Sequence, residues 1–205
     1  MDWKPCAVDG ASAAGGIRGM IHLVTGGARS GKSTFALEEA LRHAPEGPIG
    51  FIATAQALDD DMQQRIRAHQ AERDARFLTF EAPIDLSGAL AEPAPAAFVL
   101  DCLTLWCSNV LFENLHYSGG ALPDAAAFDQ KIATLIDQLS ACSRPVITVT
   151  NEVGLGIVPG DALSRSYRDW LGRINQRVAA RAERVTLLVA GIPMQIKPSP
   201  YASGA

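Results

Sequence analysis

Eight consecutive residues, Gly26-Gly27-Ala28-Arg29-Ser30-Gly31-Lys32-Ser33, carry the spacing GxxxxGK[ST]. Glycines at these positions let the backbone curl so that successive N–H groups converge on phosphate oxygens. Lys32 adds a point charge for β- and γ-phosphates, and Ser33 offers a hydroxyl to Mg2+. Met20–Thr25 reads as a strand before the loop and Thr34–His43 as a helix after it, which aims a helix N-terminus at the same phosphates. In that setting the motif is a triphosphate-binding loop rather than a chance glycine turn. Such a loop calls for an acid at the end of a second buried strand, to hold the magnesium ion or its waters. Asp101, which closes the apolar run Phe98–Leu100, is the candidate; capping of the following helix is the alternative reading.

A second constellation has no place in a simple kinase. Arg65, His69 and Arg73 are spaced i, i+4, i+8 on a polar segment read as a helix over Asp59–Arg76, so they share one face. An imidazole between two guanidiniums is kept partly neutral by like-charge repulsion and is surrounded by donors for phosphate oxygens. Neutral imidazole is a nucleophile, and His69 could attack an α-phosphate and carry a nucleotidyl group. A solvated surface histidine on a charged helix is the alternative.

The elements that would position these residues alternate along the chain. Beyond the loop and its helix come a strand at Ile49–Thr54, the polar helix with Asp59, Asp60 and Asp61 at its start, and a strand at Phe77–Glu81. A short helix around Leu86–Leu90 precedes the apolar strand Phe98–Leu103, and a helix follows over Thr104–Leu115. After a Gly/Pro loop at Ser118–Pro123 come a long helix over Ala125–Cys142 and a buried strand at Pro145–Thr150. A glycine-containing loop then leads to a basic amphipathic helix over Ser164–Ala182, a strand at Val185–Ala190 and a short one at Met194–Lys197. Strands alternating with helices predict an α/β fold: a mostly parallel central sheet with helices on both faces, of the P-loop NTPase type. Parallel strands present their C-terminal ends together, so Thr25, Thr54, Asp101 and Thr150 are expected along one edge. Asn151 and Glu152 fall at that edge too, as ligand contacts or as a loop-closing pair. Arg165, Arg168, Arg173 and Arg177 stripe the late helix, as a solvated face or as a contact to phosphate or a neighbouring subunit. His22, His43 and His116 have no assigned role.

Bulk properties narrow the class. The 205 residues suit one domain, here 20–197, with 1–19 as a flexible extension and 198–205 as a tail; Met20 could be the start of the folded part. A composition of 48% hydrophobic and 20% charged residues is that of an ordinary soluble protein, and a net charge of −4 supplies no basic face for nucleic acid. No stretch reaches the roughly 20 apolar residues of a membrane span, and 1–19 lacks the apolar core of a signal peptide. Cys6, Cys102, Cys107 and Cys142 show no metal-site spacing and read as small hydrophobes in a reducing compartment. A cytoplasmic protein is the expectation.

Further blocks join the loop to a known family. They are Ile52-Ala53-Thr54-Ala55, Asp60-Asp61-Met62 with Arg65-Ile66 and His69, Asp101-Cys102-Leu103-Thr104, and Thr150-Asn151-Glu152-Val153-Gly154 with Gly156-Ile157-Val158-Pro159. Arg168-Asp169, Gly172, Asn175-Gln176 and Gly191-Ile192 complete a set that runs from Met20 to about Lys197. In these blocks the chain resembles the bifunctional adenosylcobinamide kinase / adenosylcobinamide-phosphate guanylyltransferase family of cobalamin biosynthesis. The resemblance implies phosphorylation of the aminopropanol hydroxyl of adenosylcobinamide by ATP or GTP. It then implies transfer of GMP from GTP, through a guanylylated His69, onto adenosylcobinamide phosphate. It places nucleotide contacts at Gly26–Ser33, at Ala53, Thr54 and Ala55, at Gln70, Ala71, Glu72 and Arg73, and at Glu81 and Asp101. Catalytic roles fall to His69 and Lys32, and Mg2+ ligation to Ser33 and Asp101. Gln70 and Ala71 depart from a common family choice. A homo-oligomer, a trimer, is implied as well. Two rivals remain: a small-molecule kinase with His69 a spectator, and a nucleotide-binding regulator without catalysis.

Overall fold

The computed structural model describes residues 19–56, 73–117, 122 and 124–198. Seven strands form one sheet: β1 Ile21–Gly26, β2 Ile49–Ala53, β3 Phe77–Glu81, β4 Ala97–Asp101, β5 Val146–Val149, β6 Arg184–Val189 and β7 Ile192–Lys197. Their order across the sheet is β3-β2-β4-β5-β1-β6-β7. Every pairing is parallel except the last, where β7 turns back on β6. The central strands are short runs of Val, Ile, Leu and Phe buried on both faces, as a parallel sheet between two layers requires.

Five helices are described: α1 Lys32–His43, α2 Ser87–Ala91, α3 Leu103–Tyr117, α4 Ala125–Ala141 and α5 Ala162–Arg181. Alternation along the strands sorts the core into two halves. Val24, Ile49, Phe51, Val99, Ile147 and Val149 face Ala36 and Ala40 of α1. Leu23, Ile52, Phe98, Leu100 and Val146 face the opposite way, onto α3, α4 and α5 through Trp106, Val110, Ile132, Leu135, Leu171 and Ile174. Buried Trp106 keeps its indole N–H satisfied on the carbonyl of Ile84, 2.8 Å away. Helices thus cover both faces, as the strand–helix alternation predicts.

Boundaries shift by one or two residues from the sequence reading, with one larger difference. The polar helix expected over Asp59–Arg76 does not include residues 73–76. Asp74 ends any helix there: its carboxylate accepts the Arg76 N–H at 2.9 Å and its carbonyl accepts the Phe77 N–H at 3.1 Å, which turns the chain into β3. The rest of that segment, with Arg65 and His69, lies outside the described residues, as do the expected extension and tail except residues 19 and 198. Among the described residues, no helix is long and apolar enough to cross a membrane.

Candidate active site

The carboxyl ends of the parallel strands line up. Glu81, Ala53, Asp101, Val149 and Val24 stand in register across β3, β2, β4, β5 and β1. The next residue of three of these strands is a buried threonine: Thr25, Thr54 and Thr150. In an open α/β sheet this edge is where ligands bind.

The loop 26–31 springs from β1 and ends at the first turn of α1. Gly31, the N-cap, has φ 89°, a left-handed conformation that side chains resist, and it hands the chain into the helix without a capping side chain. That leaves the first N–H groups of α1 available to an anion. At Gly26 a methyl group would lie 2.6 Å from both the Leu188 carbonyl oxygen and the Ser30 hydroxyl, so no larger residue fits. The loop is braced from three sides: Ser30 N–H on the Gly27 carbonyl, Gly191 N–H on the Ser30 carbonyl, and Glu152 N–H on the Gly26 carbonyl. The hydroxyls of Ser30 and Thr25 are buried and have no hydrogen-bond partner among the described residues.

Lys32 is buried, and its ammonium donates to the Gly27 carbonyl at 2.9 Å. Burial draws its pKa below the usual lysine value, while Cys102 and Asp101 pull the other way. Arg73 shows the same opposition: burial lowers its pKa and the Asp101 charge raises it. The Arg73 guanidinium lies 3.7 Å above the Phe51 ring and donates to the Thr79 hydroxyl at 3.1 Å. One carboxylate, Asp101, therefore acts on two cations that come from opposite ends of the strand edge.

Thr54 holds Asp101 in place. Its hydroxyl donates to the Cys102 carbonyl at 2.8 Å and accepts the Cys102 N–H at 2.8 Å, clamping the residue that follows the acid. Asn109 of α3 donates to the carbonyls of Thr54 and Pro83, at 2.8 and 2.9 Å, and fixes the chain on both sides. The cysteines at this edge are inert: burial pushes the Cys102 thiol up to about 11 and the Cys107 thiol up to about 12.

The Thr150-Asn151-Glu152 segment closes a polar network. Thr150 donates to Asn175, which donates back to the Asn151 carbonyl at 3.0 Å; Asn151 donates to Thr104 from its N–H and its side chain, at 3.0 and 3.1 Å. The basic stripe on α5 is spent within the chain. Arg165 holds the carbonyls of Pro159 and Gly160, Arg168 pairs with Asp169, and Arg173 and Arg177 stand 3.6 and 3.5 Å from Asp129.

Residues 22–196 match the family described as cobinamide kinase / cobinamide phosphate guanyltransferase. The chain belongs to this family. It is 44% identical over 184 residues to the bifunctional adenosylcobalamin biosynthesis protein CobU of Salmonella typhimurium, covering 87% of this chain and 100% of that one. CobP of Pseudomonas aeruginosa, of the same description, is 41% identical over 183 residues, 88% of this chain and 99% of that protein. CobU of Escherichia coli is 42% identical over 187 residues, 87% of this chain and 100% of that protein.

For this cobinamide kinase / guanyltransferase family member, the structure brings together the expected loop 26–33 with Ala53, Thr54, Ala55, Arg73, Glu81 and Asp101. His69, Gln70, Ala71 and Glu72 lie outside the described residues. Thr54, expected as a nucleotide contact, has a fully buried side chain that engages Cys102. Asn109 and Tyr167 carried no signal in the sequence, because each acts across more than twenty residues of chain. Thr104, Asn175 and Gly191, which braces the loop through Ser30, stood within the blocks of family resemblance, and that was their only signal.

Proposed function

We propose that this enzyme runs two transfers at one triphosphate site. In the first, the terminal hydroxyl of the aminopropanol arm of adenosylcobinamide attacks the γ-phosphorus of ATP or GTP, loses its proton and releases the nucleoside diphosphate. In the second, a ring nitrogen of His69 attacks the α-phosphorus of GTP and pyrophosphate leaves. A phosphate oxygen of adenosylcobinamide phosphate then attacks the same phosphorus, the P–N bond breaks, and adenosylcobinamide-GDP departs. The carrying observation is Lys32, buried in the loop 26–33 and under the electrostatic influence of Asp101 on the same strand edge. Family membership supports both transfers.

The roles follow from charge. Lys32 and the loop N–H groups stabilise charge on the β- and γ-phosphates, which is leaving-group charge when the α-phosphorus is attacked. Splitting nucleotidyl transfer through a covalent histidine turns one difficult displacement into two easier ones. Arg73, Glu81, Ala53 and Ala55, with Gln70, Ala71 and Glu72, complete the nucleotide contacts in this reading. Ser33 and Asp101 offer hard oxygen donors at the cradle, a donor set that fits Mg2+ and would hold it there. Bound there, the ion would supply neutralisation of phosphate charge. The enzyme works in the cytoplasm as a homo-oligomer, a trimer by family resemblance.

Incubation with α-labelled and, separately, γ-labelled GTP tests the reading. Label from the α position should stay on the protein and move to adenosylcobinamide phosphate; label from the γ position should pass to adenosylcobinamide or leave in pyrophosphate, and should never be found on the protein. Transfer of γ-label alone would reduce the protein to a kinase, and transfer of neither to a binding protein.

A further inference from the structure

Away from the nucleotide cradle, an apolar pocket opens between α3 and α5. Ser108, Leu111 and Phe112 face Leu163, Ser164 and Tyr167 around a volume of about 220 Å3. Phe112 is 59% exposed and Leu163 39%, and the loop that runs into α5 leaves Leu155, Ile157 and Val158 exposed at 83, 97 and 62%. These are five of the eleven exposed large apolar side chains among the described residues, and four of them fall within 155–163, the stretch that leads into and begins α5.

Tyr167 joins this pocket to the reaction edge. Its ring lines the pocket, and its hydroxyl donates to the Thr104 carbonyl at 3.2 Å. The Thr104 hydroxyl in turn holds Asn151 at the end of β5. Thr104, Ser108, Leu111 and Phe112 follow one another along one face of α3. At 1.5 Å per residue, the pocket centre lies roughly 10 Å along the helix from Thr104.

We propose that this pocket and its apolar surround seat the corrin ring of the acceptor, adenosylcobinamide in the first transfer and its phosphate in the second. The inference rests on the two-transfer reading above. A nucleotide is a poor occupant, because none of the six lining residues is Lys, Arg, Asp or Glu, and burial pushes the Tyr167 phenol up and keeps it neutral. A corrin ring offers apolar faces and a rim of neutral amides, to which the Ser108 and Ser164 hydroxyls can hydrogen-bond. The volume is below the 300 Å3 or more of a pocket that encloses a ligand, so it takes one edge of the ring. The rest lies against the exposed loop. The aminopropanol arm, roughly 8 Å when extended, then covers most of the distance from the pocket centre toward Thr104, whose hydroxyl holds Asn151 at the strand edge.

Phe112→Asp and Leu163→Asp test this with little risk to folding, since both side chains are substantially exposed. Steady-state kinase assays would give KM for adenosylcobinamide and for the nucleotide, and α-labelled GTP without acceptor would report protein labelling. The expected result is a tenfold or greater rise in the adenosylcobinamide KM, with nucleotide KM and protein labelling within twofold of wild type; Phe112→Leu should stay near wild type. An unchanged adenosylcobinamide KM overturns the proposal, and a change of assembly state by size-exclusion chromatography with that KM unchanged gives the surface to a second copy. Equal losses in nucleotide and acceptor kinetics also overturn it. If wild-type protein transfers neither label, the two-transfer reading fails instead.

Discussion

The ammonium of Lys32 lies 2.9 Å from the carbonyl oxygen of Gly27, inside the loop both residues belong to. A single lysine thereby ties the loop to the first turn of α1, with Asp101 opposing the burial that lowers its pKa. The same ammonium is the loop's charge for phosphates. Replacing it removes a cation from a buried anion site and leaves the fold's apolar core untouched.

Lys32→Ala should therefore reduce both transfers by two or more orders of magnitude while the melting temperature moves little. Paired kinase and guanylyltransferase assays beside a thermal melt check this. Near-full activity in a folded variant would remove the loop from the mechanism.

His69→Ala should separate the two steps. Protein-bound label from α-labelled GTP should disappear, while phosphorylation of adenosylcobinamide continues at a measurable rate. In wild type the bound label should be acid-labile and base-stable, as a phosphoramidate is. Loss of both activities together would give His69 a general role in placing nucleotide.

Thr54→Val keeps the shape of a buried side chain and deletes both of its bonds to Cys102. The Cys102 carbonyl keeps the Trp106 N–H at 3.0 Å, but the Cys102 N–H loses its partner in the interior, which costs about 1–3 kcal/mol. Chemical unfolding should record that loss. Both activities should fall with it, through the displaced Asp101 beside Cys102, and nucleotide KM should rise. A variant as stable and active as wild type would show that the clamp is dispensable.

His22 predicts an acid-sensitive stability. Its ring is fully buried; Nε2 pairs with the Thr186 hydroxyl at 2.8 Å, and Nδ1 stands 3.6 Å from Glu39, too far for a hydrogen bond. Burial first, then the Arg184 charge, lower its pKa to about 4, against the opposing pull of Glu39. The unfolded chain, with an ordinary histidine near 6.5, binds the extra proton first. The His22 contribution is thus fully present above about pH 6.5 and is lost as pH falls from there to about 4. The shift corresponds to up to roughly 3 kcal/mol. Urea unfolding at pH 7, 6, 5 and 4 should show this slope, and His22→Gln should flatten it; equal slopes in both proteins would sink the assignment.

Removing divalent cations with EDTA should stop both transfers, and added Mg2+ should restore them. Transfer at full rate in excess chelator would leave Ser33 and Asp101 without the metal role proposed for them.

Much of this protein was determined by local sequence. The loop 26–33 announces itself because phosphate binding needs glycines, a lysine and a hydroxyl at fixed steps along one stretch of chain. The strands were legible because a parallel sheet buried on both faces demands unbroken runs such as Phe98–Leu100. Once the strands are parallel, Thr25, Thr54, Asp101 and Thr150 must share an edge, so even that long-range grouping was implied by the alternation of elements. Tertiary structure decided what each edge residue does. The Thr54 hydroxyl was legible only as a candidate ligand contact; that it clamps Cys102 depends on β4, which lies 48 residues later in register. Arg73 was read as helical, but Asp74 turns the chain and the guanidinium settles on Phe51. The α5 arginines found partners in the turn before their helix, within it and on α4, and His22 was silent until Glu39, Thr186 and Arg184 closed around it. Periodicity and motifs report what a residue's neighbours in the chain require, whereas burial and pairing depend on which distant elements the core brings together.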